Sequence, residues 1–334
     1  MTTRLGIELL PVGNIDKIVE LAREIENLGL DSVWVTDHYY NRNAYIILTL
    51  ISQRTERINL GIGVTNPYVT HPAWTAGAAA TLQEASKGRF ILGIGAGDKT
   101  TLETIGIEKK KALKAVRESI EIIRRLLNCE VVTYDGELFK LRNARLNIKN
   151  KIEVPIYVGA QAPKMLQLAG EIADGVIINA SDPGIVREAV RNVEAGAEKK
   201  GREMRDIEIA VCTCFSVDRD EKKAIETAKI VVAYILAGLS KEVAEKLDID
   251  TNTVEEIRNT LERGDIKKAT ELVKDEYVHK LAIAGTPEQC IEKIIKIVKA
   301  GTKHVILGSP LGPDKRRAIE TIAKEIAPAL KQNI

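Results

Sequence analysis

Four side chains able to carry or donate a proton stand at the ends of short apolar runs in the first hundred residues. They are Glu8 in Leu5-Gly6-Ile7-Glu8-Leu9-Leu10, Asp37 and His38 after Val33-Trp34-Val35-Thr36, and Asp98 after Gly93-Ile94-Gly95-Ala96-Gly97. A carboxyl among aliphatic residues loses hydration, which disfavours its charged form. Glu8 is therefore expected to titrate above the usual value of about 4.3 and to keep a proton it can donate. The same pattern equally admits a buried glutamate paired with an arginine in the floor of the fold. For Asp37 and His38 the alternative is a polar loop start that caps the next helix, and His71, directly before Pro72, reads as a loop residue. A second group of candidates is turns at strand ends: the glycine-bearing Gly95-Ala96-Gly97-Asp98, Gly159-Ala160-Gln161 before Pro163 and Gly308-Ser309-Pro310-Leu311-Gly312-Pro313, and Asn179-Ala180-Ser181-Asp182 before Pro183-Gly184. Backbone N–H groups at a helix start suit an anionic group, although turns need glycine in any fold of this kind.

Other chemistries are excluded by spacing. His38, His71, His279 and His304 include no metal-ligand pair, so neither a structural nor a catalytic metal is expected. Cys129, Cys212, Cys214 and Cys290 are too scattered for a disulfide framework, and Cys212-Thr213-Cys214 is not the redox C-x-x-C spacing. The nearest string to a dinucleotide fingerprint, Gly93-Ile94-Gly95-Ala96-Gly97-Asp98, ends in aspartate where a glycine belongs, and no phosphate-binding P-loop string occurs.

The elements that must position these residues alternate. Alternating or apolar runs predict strands at Arg4–Leu10, Ser32–Asp37, Ile58–Val64, Phe90–Ile94, Ile156–Val158, Val176–Ile178, Glu208–Val217 and His304–Leu307. Between them the 3.6-residue period predicts helices, the first with Ile15, Ile18, Ala22 and Ile25 on one face and Gly29 as its stop. Eight strands, each leading toward a helix, imply parallel strands with right-handed crossovers. The expected fold is a (β/α)8 TIM barrel, an α/β fold whose active site lies at the carboxyl ends of its strands. Residues 1–334 are expected to form one such domain, interrupted twice. An excursion over 129–151 carries a hairpin turn at Tyr134-Asp135-Gly136-Glu137, and a helical insertion over 220–284, after strand seven, shows no strand pattern. These two segments absorb what a barrel of about 250 residues leaves over.

Composition narrows the partners. With 49 Lys and Arg against 47 Asp and Glu, the chain has no general field to gather nucleic acid or an anionic membrane surface. Its longest apolar stretch, Ile230–Leu239, has ten residues, half of the roughly 20 a spanning helix needs. The amino terminus reads as a first strand and not as a signal peptide, so the expected location is cytoplasmic. Abundant Lys, Glu and Ile with little Gln lean toward a thermophilic source.

Several strings, taken together and in order, resemble one known family. They are Gly6-Ile7-Glu8, Thr36-Asp37-His38-Tyr39, Gly63-Val64-Thr65-Asn66-Pro67-Tyr68, Leu92-Gly93-Ile94-Gly95 with Gly97-Asp98-Lys99, Gly159-Ala160-Gln161, Ala169-Gly170-Glu171-Ile172, Ile178-Asn179-Ala180-Ser181, and Gly308-Ser309-Pro310 with Gly312-Pro313-Asp314-Lys315. The chain resembles the archaeal methylenetetrahydromethanopterin reductases, members of the bacterial luciferase-like superfamily that use the deazaflavin coenzyme F420. The resemblance implies a luciferase-like barrel with F420, not tightly bound, at its carboxyl mouth. It also implies hydride transfer from reduced F420 to 5,10-methylenetetrahydromethanopterin, giving 5-methyltetrahydromethanopterin, a one-carbon step of methanogenesis from CO2.

By the same resemblance, Gly63-Val64 is a non-prolyl cis peptide in a bulge that supports the deazaflavin. Glu8 is the acid that protonates a pterin nitrogen so that the ring opens to a hydride-accepting iminium. Asp37, His38, Gly63, Val64, Gly95, Ala96, Gly97, Asp98, Gly159, Ala160, Gln161, Asn179 and Ala180 then supply the coenzyme and pterin contacts. A homodimer or homotetramer is the family expectation, with the helix Trp74 to Leu82 as a contact that a core face would explain equally well. The stretch Ile107-Glu108-Lys109-Lys110-Lys111 and the 129–151 excursion depart from the family pattern and leave pterin variant and coenzyme tail length open. Two other readings stand beside this one: an FMN-dependent monooxygenase of the same superfamily, and a degenerate barrel that only binds.

Overall fold

In a computed structural model the chain is described over residues 3–333. Its amino-terminal part alternates strand and helix. The elements are β1 (Arg4–Leu9), α1 (Ile15–Asn27), β2 (Ser32–Val35), α2 (Ala44–Ser52), β3 (Asn59–Thr65), α3 (Pro72–Ala85), β4 (Phe90–Gly95), α4 (Lys99–Thr104) and α5 (Ala112–Leu127). The hairpin β5 (Val132–Asp135) and β6 (Lys140–Ala144) follows. Alternation then resumes with β7 (Ile156–Gly159), α6 (Pro163–Ile172), β8 (Gly175–Asn179), α7 (Pro183–Lys199) and β9 (Glu208–Val217). The carboxyl-terminal part runs through α8 (Glu221–Gly238), α9 (Lys241–Lys246), α10 (Thr251–Glu262), α11 (Ile266–Glu271) and α12 (Asp275–Leu281) to β10 (Ala282–Gly285), α13 (Pro287–Lys299), β11 (His304–Leu311), α14 (Lys315–Thr321) and α15 (Ala327–Asn333).

Local chemistry sets the boundaries. Asn14 and Asn43 start α1 and α2 by accepting from the N–H groups of Lys17 and Ile46, and α1 ends where Gly29 takes a φ of +79° that β-carbon residues resist. Asn43 thus does the capping that the sequence left open for Asp37 and His38. One expectation is corrected: the 220–284 insertion is not wholly helical, because Ala282–Gly285 forms a strand parallel to Cys214–Val217 of β9. Four residues of Ala-Ile-Ala-Gly carry little strand propensity, and only the pairing with β9 reveals them.

Contacts group the described residues into two units. The first holds 6–179 and 188–210. Its strands are hydrogen-bonded in the order β1-β2-β3-β4-β7-β8, all parallel, with Glu208 at the start of β9 donating its N–H to Asp174 O next to β8. The second holds 3–5, 180–187 and 211–333. There β9 lies between β10 and β11, and the Arg4 N–H at the start of β1 donates to Lys303 O. Strands β1 and β9 each begin in one unit and end in the other, so the order of hydrogen-bonded strands closes on itself as an eight-stranded parallel barrel.

Within the first unit, the ends of the strands away from the candidate residues are tied by charge. Glu26 of α1 accepts the N–H groups of Glu56, Arg57 and Ile58 at 2.9, 2.6 and 2.9 Å, just before β3. Arg89, just before β4, spends all five guanidinium donors on the carbonyls of Ser52, Thr55, Ile58 and Ser86 and on the Thr55 hydroxyl. Arg89→Met keeps much of the stem but leaves those acceptors unmatched. It is expected to lower the free energy of unfolding by about 3 kcal/mol in a denaturant titration. A loss below about 1 kcal/mol would show that Arg89 is not the tie.

The hairpin excursion is anchored in the same manner: Glu118 of α5 accepts from the N–H groups of Glu137, Leu138 and Phe139 at 2.9–3.1 Å. In the second unit, α8, α10 and α12 enclose a core of Val232, Leu236, Val254, Ile257, Tyr277 and Val278. There the Lys293 ammonium donates to the His279 and Ala282 carbonyls, and burial pulls its pKa down to about 8. Among the described residues no helix is long and apolar enough to cross a membrane.

Candidate active site

The first unit brings almost all of the candidate residues to the carboxyl ends of neighbouring strands. Glu8 is half-buried, one residue before the end of β1, and its register partner across the β1–β2 pair is Trp34. Asp37 and His38 leave β2 three and four residues beyond that level, both half-buried. The Trp34 ring packs 5.9 Å from Tyr157 and lies across Gly61 and Gly63, where an added β-carbon would stand 2.2 and 3.5 Å from the indole. A large aromatic opposite a Gly-x-Gly pair is the signal in the sequence that could have placed Trp34 in the interior.

The bulge on β3 organises the centre. Pairing of β3 with β4 slips between Ile62 and Thr65, and the Gly63-Val64 peptide is cis, as the resemblance implies. The Val64 methyls rest on three glycines of the adjacent strands. A β-carbon on Gly93 would stand 2.1 Å from the Ile62 carbonyl oxygen and 2.9 Å from a Val64 methyl; on Gly95 it would stand 2.9 Å, and on Gly159 3.1 Å, from the other Val64 methyl. Gly95 and Gly159 are register partners at the ends of β4 and β7, so their lack of a side chain serves this close approach. Gly97 alone of the group uses the left-handed region, with φ of +68°.

Electrostatics differ among the acids and the imidazole. Burial raises the Asp37 pKa, while the Thr65 hydroxyl and His38 pull it back. Burial lowers the His38 pKa, with Asp37 and Asp98 working in the opposite direction, so the ring is neutral around pH 7. The imidazole stacks on Tyr40 with centroids 5.1 Å apart at 18°, and its Nδ1 is buried without a hydrogen-bond partner. Asp98 is exposed and already occupied, accepting from the Thr101 N–H at 2.7 Å as the cap of α4.

The remaining candidates line the turns. Ala96 and Gly159 are half-buried and Ala160 is buried, while Gln161 is exposed and donates to the Asn179 carbonyl at 3.4 Å. The Gly159-Ala160-Gln161 turn leads into α6, whose first residue, Pro163, has no N–H and whose amino end has no side-chain cap; the Met165 and Leu166 N–H groups turn back to the Ala162 carbonyl. Ala180, the first residue of the second unit on that stretch, donates its N–H to Cys212 O at 3.1 Å. In the same unit, Ser181 bonds to Thr213 and to the Leu281 carbonyl. The Gly308–Pro313 loop, an alternative anion turn in the sequence, instead continues β11 to Leu311, with a cis Ser309-Pro310 peptide.

This arrangement matches known proteins along its whole length. Residues 1–304 match the family model described as luciferase-like monooxygenase. A 5,10-methylenetetrahydromethanopterin reductase of Archaeoglobus fulgidus is 45% identical over 332 residues, 98% of this chain and 100% of the relative. The solved structure of the coenzyme F420 dependent tetrahydromethanopterin reductase from Methanopyrus kandleri superposes with a TM-score of 0.93 at 40% identity, covering 99% of this chain and 100% of that one. An F420-dependent glucose-6-phosphate dehydrogenase of Amycolatopsis mediterranei is 29% identical over 94% of each chain.

Proposed function

The chain belongs to the luciferase-like family and, within it, to the methylenetetrahydromethanopterin reductases, and from that premise we propose how its own residues serve the reaction. The enzyme is an F420-dependent oxidoreductase of methanogenic one-carbon metabolism, transferring hydride from reduced F420 to 5,10-methylenetetrahydromethanopterin. What carries the assignment is the identity of 45% over the full length of the Archaeoglobus protein. When bound, the deazaflavin supplies the hydride.

The residues present fit such a coenzyme. Val64, seated on Gly93, Gly95 and Gly159, offers a branched apolar prop for a planar ring. The buried, unmatched His38 Nδ1 and Thr36 Oγ1 are polar atoms that a ligand can satisfy. The start of α6, with the Gly159-Ala160-Gln161 turn and Asn179, holds the anionic part of the coenzyme. The neutral His38 and the Asp37 beside it form the wall that aligns the two reactants, and Gly97 and Asp98 close that wall at the β4 mouth. Glu8 donates the proton that opens the pterin ring. The protein's share is therefore alignment plus one proton. We propose further that F420 exchanges freely with solution and that the enzyme works in the cytoplasm.

An anaerobic assay tests the reading: purified protein, reduced F420 and methylenetetrahydromethanopterin, with coenzyme oxidation followed by absorbance. Turnover with stoichiometric methyl product is the expected result. Absence of turnover together with co-purified yellow FMN would replace the reading with the flavin monooxygenase.

Two organisational points follow from the same premise. We propose that 1–334 behaves as one barrel domain, because β1 and β9 each supply residues to both contact units. We also propose self-association through α2 and α3. Helix α3 buries Ala76, Ala79, Ala80 and Leu82, yet Trp74 is 78% exposed, and Ile46 and Leu50 on the adjoining α2 are 62% and 40% exposed. An indole and two aliphatic side chains left in water on neighbouring helices suit a second copy of the chain. Trp74→Arg is expected to shift sedimentation toward the monomer by at least tenfold in dissociation constant. Unchanged sedimentation would move the interface elsewhere.

A further inference from the structure

The loop between β2 and α2 goes against local preference. The Asn41 N–H donates to the His38 carbonyl at 3.0 Å, closing a turn whose central residues are Tyr39 and Tyr40. Turn centres favour glycine, proline, asparagine, aspartate or serine, and bulky aromatic rings there do nothing for the turn itself. Nor are the rings stored in the interior, since Tyr39 is 47% and Tyr40 61% exposed. The Tyr40 ring instead stacks on the His38 imidazole, and Tyr39 meets Tyr40 edge-on, with centroids 5.2 Å apart at 82°. Because His38 is half-buried at the mouth of β2 with its Nδ1 buried and unmatched, the two tyrosines extend outward from a side chain of the candidate site.

The neighbouring loop adds to this surface. The Arg42 N–H donates to the Pro11 carbonyl at 3.2 Å, tying the β2–α2 loop to the β1–α1 loop, whose Val12 and Ile15 are exposed as well. Apolar side chains scattered singly over a surface call for no explanation, but these four stand on two joined loops at the rim of one site. We propose that the turn is the substrate lip of the reductase: Tyr40, braced on His38, and Tyr39 beside it are covered by the ring system of methylenetetrahydromethanopterin, and Tyr40 sets the affinity for that substrate. This rests on the reductase reading and on Glu8 as its proton donor.

The order of the strands selects the pterin over the coenzyme as the occupant. Glu8, whose proton goes to the pterin, lies on β1, and the two loops of the lip leave β1 and β2. The apolar prop for the coenzyme lies on the other side of β2: Val64 is on β3 and rests on Gly93 and Gly95 of β4 and on Gly159 of β7. A planar ring on Val64 is thus centred over β3, β4 and β7, and the β1–β2 rim is left to the second reactant. Stacked or edge-on aromatic contact stabilises a bound ring beyond the area it buries. A tyrosine offers that contact at small cost in side-chain freedom.

The test measures both reactants on wild type, Tyr40→Ala and Tyr40→Phe. Calorimetric titration with 5-methyltetrahydromethanopterin at saturating oxidised F420 is joined to the KM for methylenetetrahydromethanopterin, with F420 titration, sedimentation and thermal denaturation alongside. Tyr40→Ala is expected to weaken the calorimetric affinity and to raise that KM by about tenfold, while F420 affinity stays within about twofold. Tyr40→Phe is expected to keep every value within about twofold of wild type, because the ring and not the hydroxyl makes the contact. Unchanged pterin affinity in Tyr40→Ala would overturn the proposal. So would an equal loss of F420 affinity, which would make the lip a coenzyme contact, or altered sedimentation with pterin affinity intact, which would give the surface to a second copy of the chain. Should Tyr40→Ala not fold, Tyr39→Ala, which leaves the stack on His38 in place, carries the same test with an expected loss of about threefold. A wild-type enzyme that neither binds the pterin nor turns over would instead remove the reductase reading beneath it, a distinguishable result.

Discussion

Glu8→Gln is expected to bind reduced F420 within about threefold of wild type and to lose about three orders of magnitude in kcat. Glutamine occupies the same volume and keeps a carbonyl and an N–H, so the packing of β1 against Trp34 of β2 survives. What vanishes is a group able to give up a proton, and a positioned general acid contributes typically 10² to 10⁴ in rate. The loss should therefore appear in kcat and kcat/KM alike, the signature of an interaction made in the transition state and not in ground-state binding. Coenzyme titration followed by single-turnover kinetics separates the two. Full activity in this variant would remove Glu8 from the mechanism.

The second large effect is a graded one. Alanine at Gly93, Gly95 and Gly159 should damage the site in that order, because the obstacle to the new β-carbon changes along the series. At Gly93 it is a backbone carbonyl at 2.1 Å, which cannot swing away. At Gly95 and Gly159 it is a Val64 methyl at 2.9 and 3.1 Å, which can give by a few tenths of an ångström. Gly93→Ala is expected to cost about 3 kcal/mol of stability and at least tenfold in coenzyme affinity, since the bulge carrying Val64 must shift. Gly159→Ala is expected to fold normally and to weaken coenzyme binding by a few-fold. Denaturant titration and coenzyme titration of the three variants check the ranking, and equal effects at all three positions would disconnect the glycines from the bulge.

Much of this architecture is legible in the chain. The strand Glu208–Val217 has the predicted bounds because a long, regular pattern leaves little ambiguity. Glu8, Asp37 and His38 are visible because they interrupt apolar runs. Other features depend on partners far away in sequence. The strand Ala282–Gly285 exists only because Cys214–Val217 lies beside it. Gly95 and Gly159 are easily noticed as turn glycines, but their purpose, making room for Val64, is a property of three strands together. Asp98 looks like a ligand contact at a strand mouth, while the fold also makes it the cap of α4.

The central claim is that this barrel aligns a deazaflavin hydride donor with a methylene carbon while Glu8 supplies the proton. It is tested most directly with reduced F420 carrying deuterium at its hydride position, turned over anaerobically with unlabelled methylenetetrahydromethanopterin in ordinary water. The account predicts one deuterium in the product methyl group for each coenzyme oxidised. A methyl group free of deuterium would contradict direct transfer at this site.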